Sequence, residues 1–171
     1  MLPDVPSSHS HGPVRIELDR IVDVDERRGL VPYYHFKILD DYSRVVGHIN
    51  FRVGETPHLR FVAGHVGYEI LPVFRGHSYS YYACLALSNV IRLRYSSVIL
   101  TVDRGNLASE RIVQKLGATF MDEVLVPPGD PAFTGSDRIK RRYEWVVPLD
   151  AKALNAHGAQ NSRDVTNQTS D

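Results

Sequence analysis

The stretch that most limits what this chain can fold into is residues 65–94, HVGYEILPVFRGHSYSYYACLALSNVIRLR. Val66 to Leu71 is an apolar run of strand length, and Pro72 ends it, because proline has no N–H to give to a sheet ladder. After a polar turn, Arg75-Gly76-His77-Ser78-Tyr79-Ser80, apolar residues recur at Ala83, Leu87, Val90 and Ile91, which share one face of a 3.6-residue helix. Strand, tight turn and helix in that order aim the helix's unpaired first-turn N–H groups, with the positive end of its dipole, into the turn. Such a turn either holds an anion, most simply a phosphate or pyrophosphate, or is an ordinary β–α connection. Arg75 stands where a charge-assisted contact to that anion would be made. No Gly-Lys-Ser/Thr follows, so this is not a Walker loop, and the three spaced glycines of a dinucleotide fingerprint are missing.

The flanking chain reads mostly as strands. Val14 to Ile21, Pro32 to Leu39 and Arg44 to Val53 precede the central unit, and Ser97 to Asp103 is a continuous apolar run suited to a sheet covered on both faces. Asn106 is a good N-cap for a helix presenting Ala108, Ile112 and Leu116, which stops at Gly117, a natural residue just past a helix end. Residues 118–126 and 140–147 read as two more strands, 23–30 and 127–137 as loops, and 59–63 is left open. The expectation is a single domain over 13–149, flanked by disordered tails at 1–12 and 150–171. The order β-β-β-β-α-β-α-β-β implies an α/β or α+β class, with a mixed, mostly antiparallel sheet of about seven strands and helices packed on it.

Charge and cysteine usage exclude several functions. Basic and acidic residues balance at 20 each, so no overall field draws in nucleic acid or an anionic membrane, and neither is expected as a partner. The basic run Arg138 to Arg142 reads as a solvated strand end rather than a nucleic-acid patch. Cys84 is the one cysteine, so no intrachain disulfide forms, and its place in the central helix makes it a small core residue. No run approaches the length of a membrane span, and the first residues lack the pattern of a secretory signal, so a cytoplasmic location is expected. His9 and His11 are read as part of a loose tail, and no metal is expected.

Two motifs carry a resemblance. Tyr68-Glu69-Ile70-Leu71-Pro72-Val73-Phe74-Arg75-Gly76-His77-Ser78-Tyr79-Ser80 resembles the acyl-CoA-binding motif of the GNAT superfamily of N-acetyltransferases, which runs strand, Pro, then Arg-Gly-x-Gly-x-Gly/Ala. Asn106 through Ala118 resembles that family's second signature, and the whole is similar to the ribosomal-protein alanine acetyltransferase branch. The resemblance covers about residues 45–125 and implies a GNAT-like domain whose N-terminal helical region is shortened to about ten charged residues. It implies an acetyl-CoA-dependent N-acetyltransferase, with acetyl-CoA as co-substrate and a small-molecule amine or a protein N-terminus as acceptor. A homodimer would complete the open acceptor side; a catalytically silent CoA-binding regulatory module is the alternative. Ser78 and Ser80 depart from the family's glycines, which let the backbone come close to the pyrophosphate.

By the same resemblance, Ile70, Leu71, Arg75, Gly76, His77, Ser78, Tyr79, Ser80 and Asn106 line CoA, along the edge where the neighbouring strand splays away. Glu69 is the first candidate for the base that deprotonates the amine, or else it faces away from the site, since neighbouring strand residues point to opposite faces. Asp103 is the second candidate base and otherwise caps the turn before Asn106; His48 and His65 follow. Many relatives carry a tyrosine acid seven residues after the motif's Asn, where this chain has Val113; Ser109 is the hydroxyl expected near the leaving sulfur instead. Asn50 and Arg52 share strand parity with His48, so they either orient a carboxylate or polar acceptor or form an exposed strand face.

Overall fold

The computed structural model describes residues 2–24, 29–135 and 138–149. Eight strands follow one another as β1 (Ser8–His11), β2 (Val14–Val22), β3 (Tyr33–Leu39), β4 (Val45–Arg52), β5 (Val66–Ile70), β6 (Ser97–Asp103), β7 (Thr119–Leu125) and β8 (Ile139–Val146). Helix α1 (Tyr79–Ile91) lies between β5 and β6, and α2 (Leu107–Lys115) between β6 and β7. The stretch left open in the sequence, Leu59–Ala63, is a single π-helical turn.

Where the sequence reads as one mixed sheet, the structure has two antiparallel ones: five strands in the order β1-β2-β3-β4-β5, and three in the order β6-β8-β7. The seam falls between β5 and β6. The His65 N–H donates to the Ile99 carbonyl at 2.8 Å, but the Ile99 N–H donates to His65 Nδ1 at 3.1 Å. A side chain thus takes the acceptor place that a backbone carbonyl would hold, pairing stops there, and the two sheets part towards Ile70 and Asp103.

Strand alternation sorts the five-stranded sheet into two faces. Ile16, Ile38, Phe36, Ile49, Tyr34 and Phe51 are nearly or fully inaccessible and pack on α1. The opposite face carries cross-strand polar neighbours: Glu17 beside Lys37, Lys37 beside His48, His48 beside Glu69, and His35 beside Asn50 with its Nδ1 2.6 Å from Asn50 Oδ1. A face of this composition is stable in water, which is why so short a β2–β3 connection suffices.

Two sequence expectations are corrected here. Residues 2–12 are not a tail: β1 pairs with β2, Leu2 is buried, and the Tyr34 hydroxyl donates to the Pro3 carbonyl at 2.7 Å. The polar, proline-containing sequence hides this because β1 is the short first arm of a hairpin with β2, and its other contact, Pro3 with Tyr34, is distant in the chain. Nor is α1 one-sided; Ala83 through Ser88 are all buried, because α1 packs against the five-stranded sheet and shares the core with Val98, Leu100 and Trp145 of the other sheet, with His11 stacked on Tyr82. The proposed tail 150–171 lies outside the described residues.

Candidate active site

The parting of the sheets leaves two cavities that meet at one point. The first, about 550 Å³, lies between the end of β5, the loop leading into α1, and the exposed side of α2. It gathers Ile70, Arg75, Gly76, His77, Ser78, Tyr79, Ser80 and Asn106, all but one of the residues the sequence motif singles out. Leu71 is the exception: its N–H is spent on the Val46 carbonyl and its side chain is exposed away from the cavity.

The loop is built as an anion cradle. Among the described residues, no acceptor meets the backbone N–H of any residue from Gly76 to Tyr81; the first helical bond runs from Tyr82 to the Ser78 carbonyl. Gly76 has φ +88° and Ser78 has φ 57°, so both positions are left-handed and turn successive N–H groups to one side. Arg75 leans back on β5, its Nε donating to the Ile70 carbonyl at 3.1 Å. Two cations from α2 complete the wall. Lys115 sits 4.3 Å above the Tyr81 ring, and Arg111 projects one turn before it. Sequence reasoning missed both, although their spacing of four beside Ala108 and Ile112 puts them on the stripe that faces the motif loop.

The second cavity, about 440 Å³, opens on the other side of the seam, lined by Arg52, His58, Gly67, Leu100, Thr101, Lys140 and others. Tyr68 and Ser109 line both cavities. Their side chains face each other where the cavities meet; burial pushes the Tyr68 pKa well above its ordinary value, and the nearby Ser109 hydroxyl only partly opposes this. Ser109 is positioned from behind, its N–H donating to Asn106 Oδ1 at 3.2 Å as the N-cap expectation requires.

Residues 5–119 match the family described as the acetyltransferase (GNAT) domain. The chain belongs to the GNAT acetyltransferase family. No curated protein sequence matches it. Among solved structures it is similar to a putative acetyltransferase at 18% identity and TM-score 0.62, covering 93% of this chain and 94% of that one. The ribosomal-protein-S5-alanine acetyltransferase of Vibrio fischeri aligns at 11% identity and TM-score 0.60, over 85% of this chain and 98% of the other. A ribosomal L7/L12 α-N-protein acetyltransferase in complex with coenzyme A aligns at 13% identity and TM-score 0.58, again over 85% and 98%. At these identities the likeness speaks for the fold.

Within this GNAT domain the remaining candidates separate. Glu69 is exposed and lies directly opposite His48 of β4; it lines the first cavity with Tyr68 and Ile70 but does not reach the second. Asp103 lies away from the meeting point, held by Lys140 at 2.8 Å and Arg138 at 3.0 Å. Partial burial would raise its pKa, but these two cations outweigh that and hold the carboxyl below the usual range. His65 is buried at the seam, and burial lowers its pKa despite the bond from Ile99. Cys84 is fully buried in α1, its thiol pushed up to about 12, which leaves it packing only. Among the described residues no cluster of His, Cys, Asp or Glu is arranged to hold a metal, and no helix is long and apolar enough to cross a membrane. Tyr68, though it opens the first motif, reads in the sequence as one more member of an apolar strand, and no chemical role is assigned to it there.

Proposed function

We propose that this protein moves the acetyl group of acetyl-CoA to a primary amine by direct attack on the thioester. The observation that carries this reading is the Tyr68–Ser109 pair, which stands where an anion-cradling cavity meets a second cavity of substrate size. The pyrophosphate would lie on the free N–H groups of Gly76 to Tyr81, with Lys115 and Arg111 supplying charge. The pantetheine would run along the unpaired edge of β5 past Ile70, bringing the thioester to Tyr68.

The amine nitrogen enters from the second cavity and bonds to the carbonyl carbon, and the C–S bond then breaks with its electron pair going to sulfur. The Tyr68 hydroxyl, kept protonated by its surroundings, donates its proton to that thiolate beside the Ser109 hydroxyl, and the phenolate regains a proton from solvent. The proton lost by the ammonium leaves through solvent to Glu69, the exposed carboxylate next to Tyr68 on β5. Asp103 serves as a brace for Lys140 rather than as a base.

Tyr68→Phe is the test. It should lower kcat by about 100-fold while leaving CoA binding intact, with Ser109→Ala and Glu69→Gln each costing about 10-fold or less. Full kcat in Tyr68→Phe would remove the assigned acid. Tight CoA binding with no turnover of any amine by the unaltered protein would point instead to a silent CoA-binding regulatory module.

A further inference from the structure

One cation in the second cavity, Arg52, has no counter-ion among the described residues. Arg52, the last residue of β4, extends under β5, and its Nη1 donates to the carbonyls of Ala63 at 3.3 Å and Gly64 at 3.2 Å. Among the described residues no carboxylate pairs with it, and burial lowers its pKa from the ordinary arginine value. Gly67 makes the room: a Cβ at that position would fall 2.8 Å from both Nη1 and Nη2. A guanidinium taken out of water against two neutral carbonyls keeps a strong demand for an anion.

The rest of the wall points the same way. Lys140 and His58 also line the cavity, and among the described residues no Asp or Glu does. Asp103, which holds Lys140 from outside, is shared with Arg138 and balances one of the two charges. Asp130, 2.9 Å from His58 Nδ1, is likewise set back behind that ring. A polyamine or an aminoglycoside would bring further positive charge to this wall, whereas a carboxylate satisfies Arg52 bidentately.

We propose that the acceptor is an amine of amino-acid size that also carries a carboxylate, which docks on Arg52 in the 440 Å³ cavity while the amine faces Tyr68. This rests on the acetyl-transfer reading above and narrows its substrate class.

The proteinogenic amino acids, their α-amides and their decarboxylated amines serve as acceptors with acetyl-CoA. The acids are expected to be turned over with kcat/KM about 10- to 100-fold above the matching amides. Arg52→Gln should raise KM for the best acid by a similar factor and leave the amides little changed. Gly67→Ala gives a second route: its methyl displaces the guanidinium without removing the charge or straining the backbone, and should raise the same KM. A calorimetric titration of the amino acids into the protein saturated with free CoA reads carboxylate recognition without turnover. Binding there that is lost in both variants upholds the inference even if no acetyl group moves, a result that would sink the transfer reading alone. Equal use of acid and amide, or parallel losses for both in Arg52→Gln and Gly67→Ala, overturns the inference and leaves acetyl transfer standing.

Discussion

Ser78 stands in a left-handed conformation, φ 57° and ψ 24°, immediately before α1, and its side chain caps nothing. A non-glycine residue there carries roughly 1–2 kcal/mol of strain. Glycine would remove it, but a glycine also gives the unfolded chain about 0.4–1 kcal/mol more entropy to lose. The difference makes Ser78→Gly more stable by about 0.5–1 kcal/mol, and for a domain of this size that raises Tm by about 1–4 °C. Ligand affinity should move the other way. The hydroxyl lines the first cavity with no partner among the described residues, so it is free to donate to a phosphate oxygen of a ligand bound there. Its loss removes about 0.5–1.5 kcal/mol, a weakening of CoA binding of about 2- to 10-fold. Scanning calorimetry and titration with CoA on one preparation read both signs. A lower Tm would refute the strain argument, and unchanged or tighter CoA binding would show that the hydroxyl crowds the phosphates rather than holding them.

Lys115→Ala should weaken CoA binding by about 5- to 10-fold at low salt and by much less at high salt, because an exposed cation acts through a screened field; titrations at both salt levels check it. His65 has a folded pKa below the unfolded value near 6.5, so between those two values the unfolded chain binds more protons. Its contribution is therefore whole above about pH 6.5 and is lost as pH falls towards the folded pKa. Denaturant midpoints across this range should decline towards acid, less steeply in His65→Asn, whose side-chain oxygen keeps an acceptor for Ile99; an unchanged slope would assign the decline to His9, His11 and His35, which burial also shifts down. Removing residues 2–12 uncovers α1 and forfeits the buried Leu2 and the Tyr34–Pro3 bond, and should lower Tm by roughly 10 °C in thermal unfolding.

Local rules carried most of the fold. Proline after Leu71, asparagine before α2 and glycine at 117, with φ +76°, each act through their own backbone, so the elements they bound were legible from sequence. What escaped depends on pairing and packing partners rather than on a residue's own backbone. Ser8–His11 becomes a strand only because β2 offers an edge, and the division into two sheets follows from an imidazole meeting Ile99 across 34 residues of sequence. The motif loop was legible for a similar reason to the caps, being a contiguous run. Tyr68 was not, because its chemistry comes from meeting Ser109 over the seam. Arg52 was placed on the right strand face by parity, but its isolation follows from the bare backbone of Gly67.

The junction at His65 also sets how far the molecule can close. Were Ile99 to find a carbonyl instead of a ring nitrogen, the neighbouring edges would zip together and the thioester would have nowhere to rest. One aromatic nitrogen, by occupying a donor that would otherwise propagate the sheet, acts as the pin of a pair of dividers: it holds the legs together at the top so that they stand apart at the points.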